Sequence, residues 1–271
     1  MAYSGKIVGV VSIKGGVGKT TAVVNLAVSL ARDYGKKVVV VDANFSSPSL
    51  GLQLGLVDYG TSLHAVLNDE VLVNDSIYEH ELGFDVLPSS LTNERVNPLK
   101  LKQKIAILRK YYDFVVLDSS PSLNDELLAT MLASDELFVV SSPDYPTLST
   151  TLRAVKLAKE KGAPIMGIVL NKVKGRRYEL SVEEIERMAK VPVLAVLYDD
   201  QKVLEALAAV RPVTVYNPYN KVALEYRRLA AVLADVPFRE PGVLAKLWNY
   251  LREDFENLKR HDFRKGMSYY K

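Results

Sequence analysis

The chain has 271 residues, 48% apolar and 25% charged, which is the make-up of a globular protein with one large core. It contains no cysteine, so disulfides, thiolate nucleophiles, zinc-thiolate sites and protein-held iron-sulfur clusters are excluded together. Its net charge of +3 lies beyond Val236, where eight Lys and Arg stand against five Asp and Glu, so attraction to anionic lipid or nucleic acid is sought first in that tail.

No apolar run approaches the ~20 residues of a membrane-spanning helix, and the N-terminus enters a strand-like run without a signal-peptide pattern. The expected place is the cytoplasm. His64, His80 and His261 are scattered along the chain, which argues against a histidine metal site.

Short β-branched runs alternate with stretches of helical period, the pattern of a parallel sheet with crossover helices. In chain order the reading is strand 6–12, helix 19–34, strand 37–42, strand 84–88, helix 98–110, strand 114–118, helix 125–132 and strand 137–141. Helix 149–161, strand 165–171, helix 181–189, strand 193–197 and helices 201–209 and 221–233 complete it. Most of the strands are apolar throughout, as strands buried on both faces must be. The predicted fold class is α/β: a doubly wound, mostly parallel sheet flanked by helices.

Two prolines and a glycine between Val236 and Gly242 end the body, dividing the chain into residues 1–236 and a tail, 237–271. In the tail, Val243, Leu244, Leu247, Trp248, Leu251, Phe255 and Leu258 recur at three- and four-residue spacing, which describes an amphipathic C-terminal helix. Glu253, Asp254 and Glu256 keep its polar face only weakly basic. A membrane surface, the chain's own body and a protein partner all remain open as what it binds.

The first strand runs into Lys14-Gly15-Gly16-Val17-Gly18-Lys19-Thr20-Thr21, and the helix that follows carries Ala22, Val23, Leu26, Ala27 and Leu30 on one side. Strand, glycine-rich loop and helix are the context of a phosphate loop. Gly15, Gly16 and Gly18 let successive backbone N–H groups turn inward around phosphates, and the helix N-terminus adds partial positive charge. Lys19 is placed to reach β and γ phosphates, and the Thr20 hydroxyl to ligate Mg²⁺. The strict pattern has a glycine six residues before the lysine, where this chain has Ile13.

The next strand delivers Asp42 at its carboxyl end, where ligands of such sheets collect. Tyr112-Asp113-Phe114-Val115-Val116-Leu117-Asp118 has the form of a Walker B strand, with Asp118 holding Mg²⁺ through its water shell. A plain helix cap is the other reading of Asp118.

These motifs, in this order over residues 6–233, resemble the MinD/ParA family of deviant Walker A P-loop ATPases, MinD-like members above all. Its members vary at the position of Ile13 and are marked by the extra lysine, here Lys14. The resemblance implies ATP and Mg²⁺ on a loop that includes Val17 and Thr21, and a homodimer on ATP binding in which Lys14 crosses to the partner's nucleotide. Members usually carry a second aspartate two residues after the first, which orients the attacking water. Here it is Asn44, so a slow ATPase is expected, with a strand-end turn as the plainer reading of Asn44. Ser119-Ser120-Pro121-Ser122 is similar to the family's second switch loop. Asn171 matches the asparagine that recognises adenine, and 197–200 matches the segment that packs on the base, with Tyr198 replacing a common proline.

What the resemblance implies for function is a switch that positions cellular machinery at the inner membrane face through the tail, with a protein partner stimulating turnover. Three rivals stand beside it. One is a ParA-type partitioning ATPase that binds DNA without sequence preference, to which Lys172, Lys174, Arg176 and Arg177 would contribute. Another is a non-hydrolysing scaffold, left open by Asn44. The third, a tyrosine autokinase suggested by Tyr269 and Tyr270, lacks the KGG arrangement of this loop.

Overall fold

The computed structural model describes residues 5–92, 95–238 and 240. Strands β1 (Lys6–Val11), β2 (Val38–Ala43), β3 (Tyr78–His80), β4 (Phe84–Leu87), β5 (Phe114–Ser119), β6 (Glu136–Ser141), β7 (Ile165–Val173) and β8 (Val193–Tyr198) form one sheet in the order 3-4-2-5-1-6-7-8. Every neighbouring pair is parallel except β3 with β4. The helices are α1 (Lys19–Val28), α2 (Leu50–Leu54), α3 (Leu63–Leu67), α4 (Leu101–Ile105), α5 (Asp125–Ala133), α6 (Tyr145–Glu160), α7 (Val182–Ala189), α8 (Gln201–Ala208), α9 (Val213–Tyr216) and α10 (Lys221–Leu233).

Alternation along the strands sorts the core into two faces. Val8, Val10, Val38, Val40 and Val116 turn toward α1 and α10, while Ile7, Val39, Val41, Val115 and Leu117 turn toward α4 and α5. Beyond β1, Val139, Ile168 and Leu170 continue the second face under α6 and α7. Because the interiors of the central strands are apolar on both faces, the polar residues that end each run fall at the carboxyl ends. That puts Ser12, Asp42 and Asp118 together at one edge of the sheet.

The expected doubly wound, mostly parallel sheet is what the described residues form, and its seven predicted strands are all present. The additional β3 spans three residues and has no apolar run to announce it. The helix predicted over 19–34 ends as α-helix at Val28 and continues as a π turn, Ser29–Asp33. That predicted over 98–110 has α geometry only at α4, between 3₁₀ turns at Pro98–Lys100 and Ala106–Lys110. Helix α6 starts four residues before its predicted position, because Asp144 caps it and Pro146 occupies its first turn. The tail segment that includes Val243 and Leu258 lies outside the described residues. Among those described, no helix is long and apolar enough to cross a membrane.

Helices α5, α6, α7, α8 and α10 each have a side chain accepting from a first-turn N–H, from Asn124, Asp144, Ser181, Asp200 and Asn220 respectively. Helix α1 differs: its cap is Gly18, and no side chain reaches its N-terminal N–H groups. Those donors remain for an anion.

The far half of α1 is pinned by Asn25, which is fully buried. Its Oδ1 accepts from the Thr214 N–H at 3.0 Å and from the Thr214 hydroxyl at 2.9 Å, and its Nδ2 donates to the Thr21 carbonyl at 2.8 Å. Asn25→Ala would strand the Thr214 donors in the core. A loss of about 2–3 kcal/mol is expected in urea unfolding followed by circular dichroism. A loss under about 0.5 kcal/mol would show that this clamp does not hold α9 to α1.

Candidate functional site

The loop between β1 and α1 is shaped by its neighbours as well as by its glycines. Gly16 and Gly18 have φ of +74° and +99°, in the region that favours glycine. At Gly18 a Cβ would lie 2.3 Å from Asn171 Nδ2, so a side chain is excluded on two counts. Asn171, on β7, donates that same Nδ2 to the Val17 carbonyl at 2.7 Å, and the Val17 side chain is buried in the core. The Ser12 hydroxyl accepts from Lys14 N–H and donates to the Lys14 carbonyl, each at 3.2 Å, closing the start of the loop.

Lys19 is buried; burial pushes its pKa down, and the nearby Asp118 carboxylate acts the other way. Asp42 and Asp118 are paired residues on the adjacent strands β2 and β5, and both are fully buried. Burial pushes both carboxyls above the usual carboxylate range, and the charge on Asp118 adds to the rise at Asp42. Opposing this, Asp42 Oδ1 accepts from Asn44 N–H at 3.2 Å, and its Oδ2 from the Ser49 and Leu50 N–H groups at 3.2 and 3.1 Å. Asp118 Oδ2 accepts from the Thr20 hydroxyl at 2.6 Å, and Lys19 lies near it.

Asp42 stands at the carboxyl end of β2 as expected, and behind the cleft it folds loop 44–50 over itself. Asn44 belongs to that loop: its Nδ2 donates to the Ser47 carbonyl, and its Oδ1 is buried without a hydrogen-bond partner. Lys14 stands at the rim, with Nζ 2.6 Å from Thr147 Oγ1 and 3.5 Å from Asp144 Oδ1 at the start of α6.

The cleft has a volume of about 390 Å³, within the range of small-molecule sites. Gly15, Gly16, Gly18, Lys19, Thr20, Thr21, Asn44 and Asn171 line it, with Ser119, Pro121, Lys172 and Tyr198, so the phosphate loop meets the other segments singled out from the sequence there. Val17, Asp42 and Asp118 lie behind it. Sequence reasoning missed Ser47 and Ser49 on the loop that Asp42 folds, and an apolar wall of Leu204, Leu207, Val222 and Tyr226 beyond Tyr198. The spacings 204/207 and 222/226 did mark one face of a helix each, but a core-facing stripe has the same period. Asn171 has a second Nδ2 hydrogen for a ligand at this wall, while its Oδ1 accepts from Lys172 N–H at 2.9 Å.

The site can be tested against Mg²⁺ by its donors. Asp118 Oδ1 is buried and lacks a hydrogen-bond partner, beside the Thr20 hydroxyl. No cluster of three or more His, Asp and Glu that could hold a metal occurs among the described residues. One carboxylate and a hydroxyl at the foot of a phosphate cradle suit an ion that keeps its waters and takes phosphate oxygens. The residues therefore fit Mg²⁺ held together with a nucleotide.

Comparison with known proteins agrees with this arrangement. A family model described as an AAA domain matches residues 5–164. An uncharacterised ATP-binding protein of Methanocaldococcus jannaschii is 34% identical over 235 residues, covering 85% of this chain and 89% of its own length. The cell division ATPase MinD of Pyrococcus furiosus superposes with a TM-score of 0.81 at 33% identity, over 85% of this chain and 99% of that one. The septum site-determining protein MinD of Pyrococcus horikoshii, solved with Mg-ADP, gives 0.80 at 31% identity over 84% and 95%. Fold, loop and comparisons together define a P-loop ATPase, which binds and hydrolyses ATP. Within that class the chain belongs to the MinD/ParA family of deviant Walker A ATPases.

Proposed function

We propose that this chain is an ATP-driven dimerising switch of the MinD type, which positions other components at the inner membrane face. The observation that carries the reading is where Lys14 sits. It is turned from its own phosphate cradle onto Asp144 and Thr147, and its side chain is 42% exposed. Such half-exposed pairs are worth only about 0–1 kcal/mol. Little therefore opposes its transfer to phosphates presented by a second copy, whereas Lys19 is already committed within its own loop.

The remaining roles follow from position. The N–H groups from Gly15 to Thr21, with the uncapped start of α1, hold the phosphates, and Lys19 neutralises the β and γ oxygens. Thr20 and Asp118 hold Mg²⁺, which when bound neutralises charge on the phosphates. Asn171 reads the adenine edge, and the Leu204 wall excludes water from the base.

Asn44 is tied into its own loop and has no carboxylate to orient water, so turnover is slow. The tail, in whose sequence Val243, Leu244, Leu247, Trp248, Leu251, Phe255 and Leu258 recur at helical spacing, gives each dimer two weak membrane contacts, the second made intramolecular by the first.

Light scattering on the full chain tests the switch. The wild type is expected to be a monomer with ADP and a dimer with ATP and Mg²⁺, and Lys14→Ala to bind ATP while staying monomeric. A dimer that forms without nucleotide, or that survives Lys14→Ala, would remove the switch. DNA rather than liposomes sedimenting the ATP form, in a salt-sensitive way, would favour the ParA-type rival and its basic run at Lys172, Lys174, Arg176 and Arg177. For Asn44→Asp, phosphate release should rise by about 100-fold, the low end of what a general base supplies. A fall instead would mean that the amide itself serves the reaction.

A further inference from the structure

Helix α2 begins where loop 44–49 returns to the phosphate loop, and two side chains one helical turn apart touch two consecutive threonines. The Ser49 hydroxyl lies 3.1 Å from Thr20 Oγ1, and Gln53 Nε2 donates to Thr21 Oγ1 at 3.3 Å. Ser49 is half-buried and lines the cleft.

The direction of the Ser49–Thr20 bond follows from hydrogen counting. Thr20 has one hydroxyl hydrogen, and it is committed to Asp118 Oδ2 at 2.6 Å. Ser49 must therefore donate its own hydrogen to Thr20. No other donor among the described residues reaches the Ser49 hydroxyl, so what it presents to the cleft is lone pairs. Lone pairs repel a phosphate oxygen and attract a cation. The spacing agrees: neighbouring oxygens on an octahedral Mg²⁺ with bonds of 2.0–2.1 Å stand ~2.9 Å apart, and Ser49 Oγ is 3.1 Å from Thr20 Oγ1.

We infer that the Ser49 hydroxyl is a further oxygen facing the divalent cation, beside Thr20 and Asp118, and that Asp42 places it there by gripping the Ser49 backbone N–H. This rests on the Mg-nucleotide reading above and extends it to a residue outside the phosphate loop. It also gives the buried Asp42 a purpose. The carboxylate reaches the metal through the backbone it folds, which is why both its oxygens are spent on N–H groups at 3.1–3.2 Å.

The test uses the full chain with Mn²⁺ as probe, counting free Mn²⁺ by electron paramagnetic resonance in the presence of ADP, with ADP affinity in EDTA measured by calorimetry. Ser49→Ala keeps the N–H that Asp42 holds and removes only the hydroxyl. It should weaken Mn²⁺ binding in the ADP complex about 10-fold, the low end for groups that orient metal ligands. ADP affinity in EDTA should stay within about twofold, and Ser49→Thr should restore Mn²⁺ binding. Unchanged Mn²⁺ affinity in Ser49→Ala overturns the inference. So does an equal loss of ADP affinity in EDTA, since that marks a structural role. If the wild type retains no Mn²⁺ with ADP, the Mg-nucleotide reading itself fails, a result distinct from either.

Discussion

Three ionisable side chains, Lys19, Asp42 and Asp118, are buried together where β1, β2 and β5 end, and the rest of the site is arranged around the cost of charging them there. An unpaired buried charge is expensive, and a pair repays its desolvation only when further hydrogen bonds complete it. Here two carboxyls face one ammonium. Asp42 is satisfied by three backbone N–H groups, which folds loop 44–50. Asp118 is satisfied on one oxygen only, by Thr20. On the reading proposed above, a cation would meet the incomplete balance together with the anion that the uncapped start of α1 and its glycine loop can take, so that metal and nucleotide would be two halves of one neutralisation.

The same arrangement separates a rigid part from a movable one. Val17, Asn25 and Asp42 are buried and fixed by the core or by hydrogen bonds, and Lys19 is buried beside Asp118. Lys14, with its half-exposed contacts to Asp144 and Thr147, is held by interactions whose strength is small and screened by salt. Under the switch proposed above, a nucleotide would reposition the rim without disturbing the sheet.

What was legible in the sequence followed from locality. Most of the seven strands were visible because burial on both faces makes them apolar nearly throughout, and the phosphate loop because its lysine, threonine and glycines are contiguous. Asp118 was legible as the first polar residue after such a run. Short elements were not: α2, α3 and α9 span five residues or fewer, too few to display a helical period. Nor were contacts between distant segments. Nothing near Lys14 names Asp144 or Thr147, some 130 residues on, and Ser49 looked like any loop serine until Asp42 and Thr20 were seen on either side of it. Asp42 was legible at its strand end, but the Ser49 and Leu50 N–H groups its carboxylate accepts from lie on a loop that no motif marked.

The claim that cation and nucleotide complete one charge balance is tested most directly by scanning calorimetry of the full chain with Mg²⁺ alone, ADP with EDTA, and ADP with Mg²⁺. At ligand near 100 times its Kd, stabilisation is about 2.7 kcal/mol, which for a chain of this size raises Tm by about 5–10 °C. The account predicts a shift of that size only when ADP and Mg²⁺ are present together, with much smaller shifts for either alone. Equal shifts for ADP with EDTA and for ADP with Mg²⁺ would contradict it, since the buried carboxylates would then have no share in holding the nucleotide.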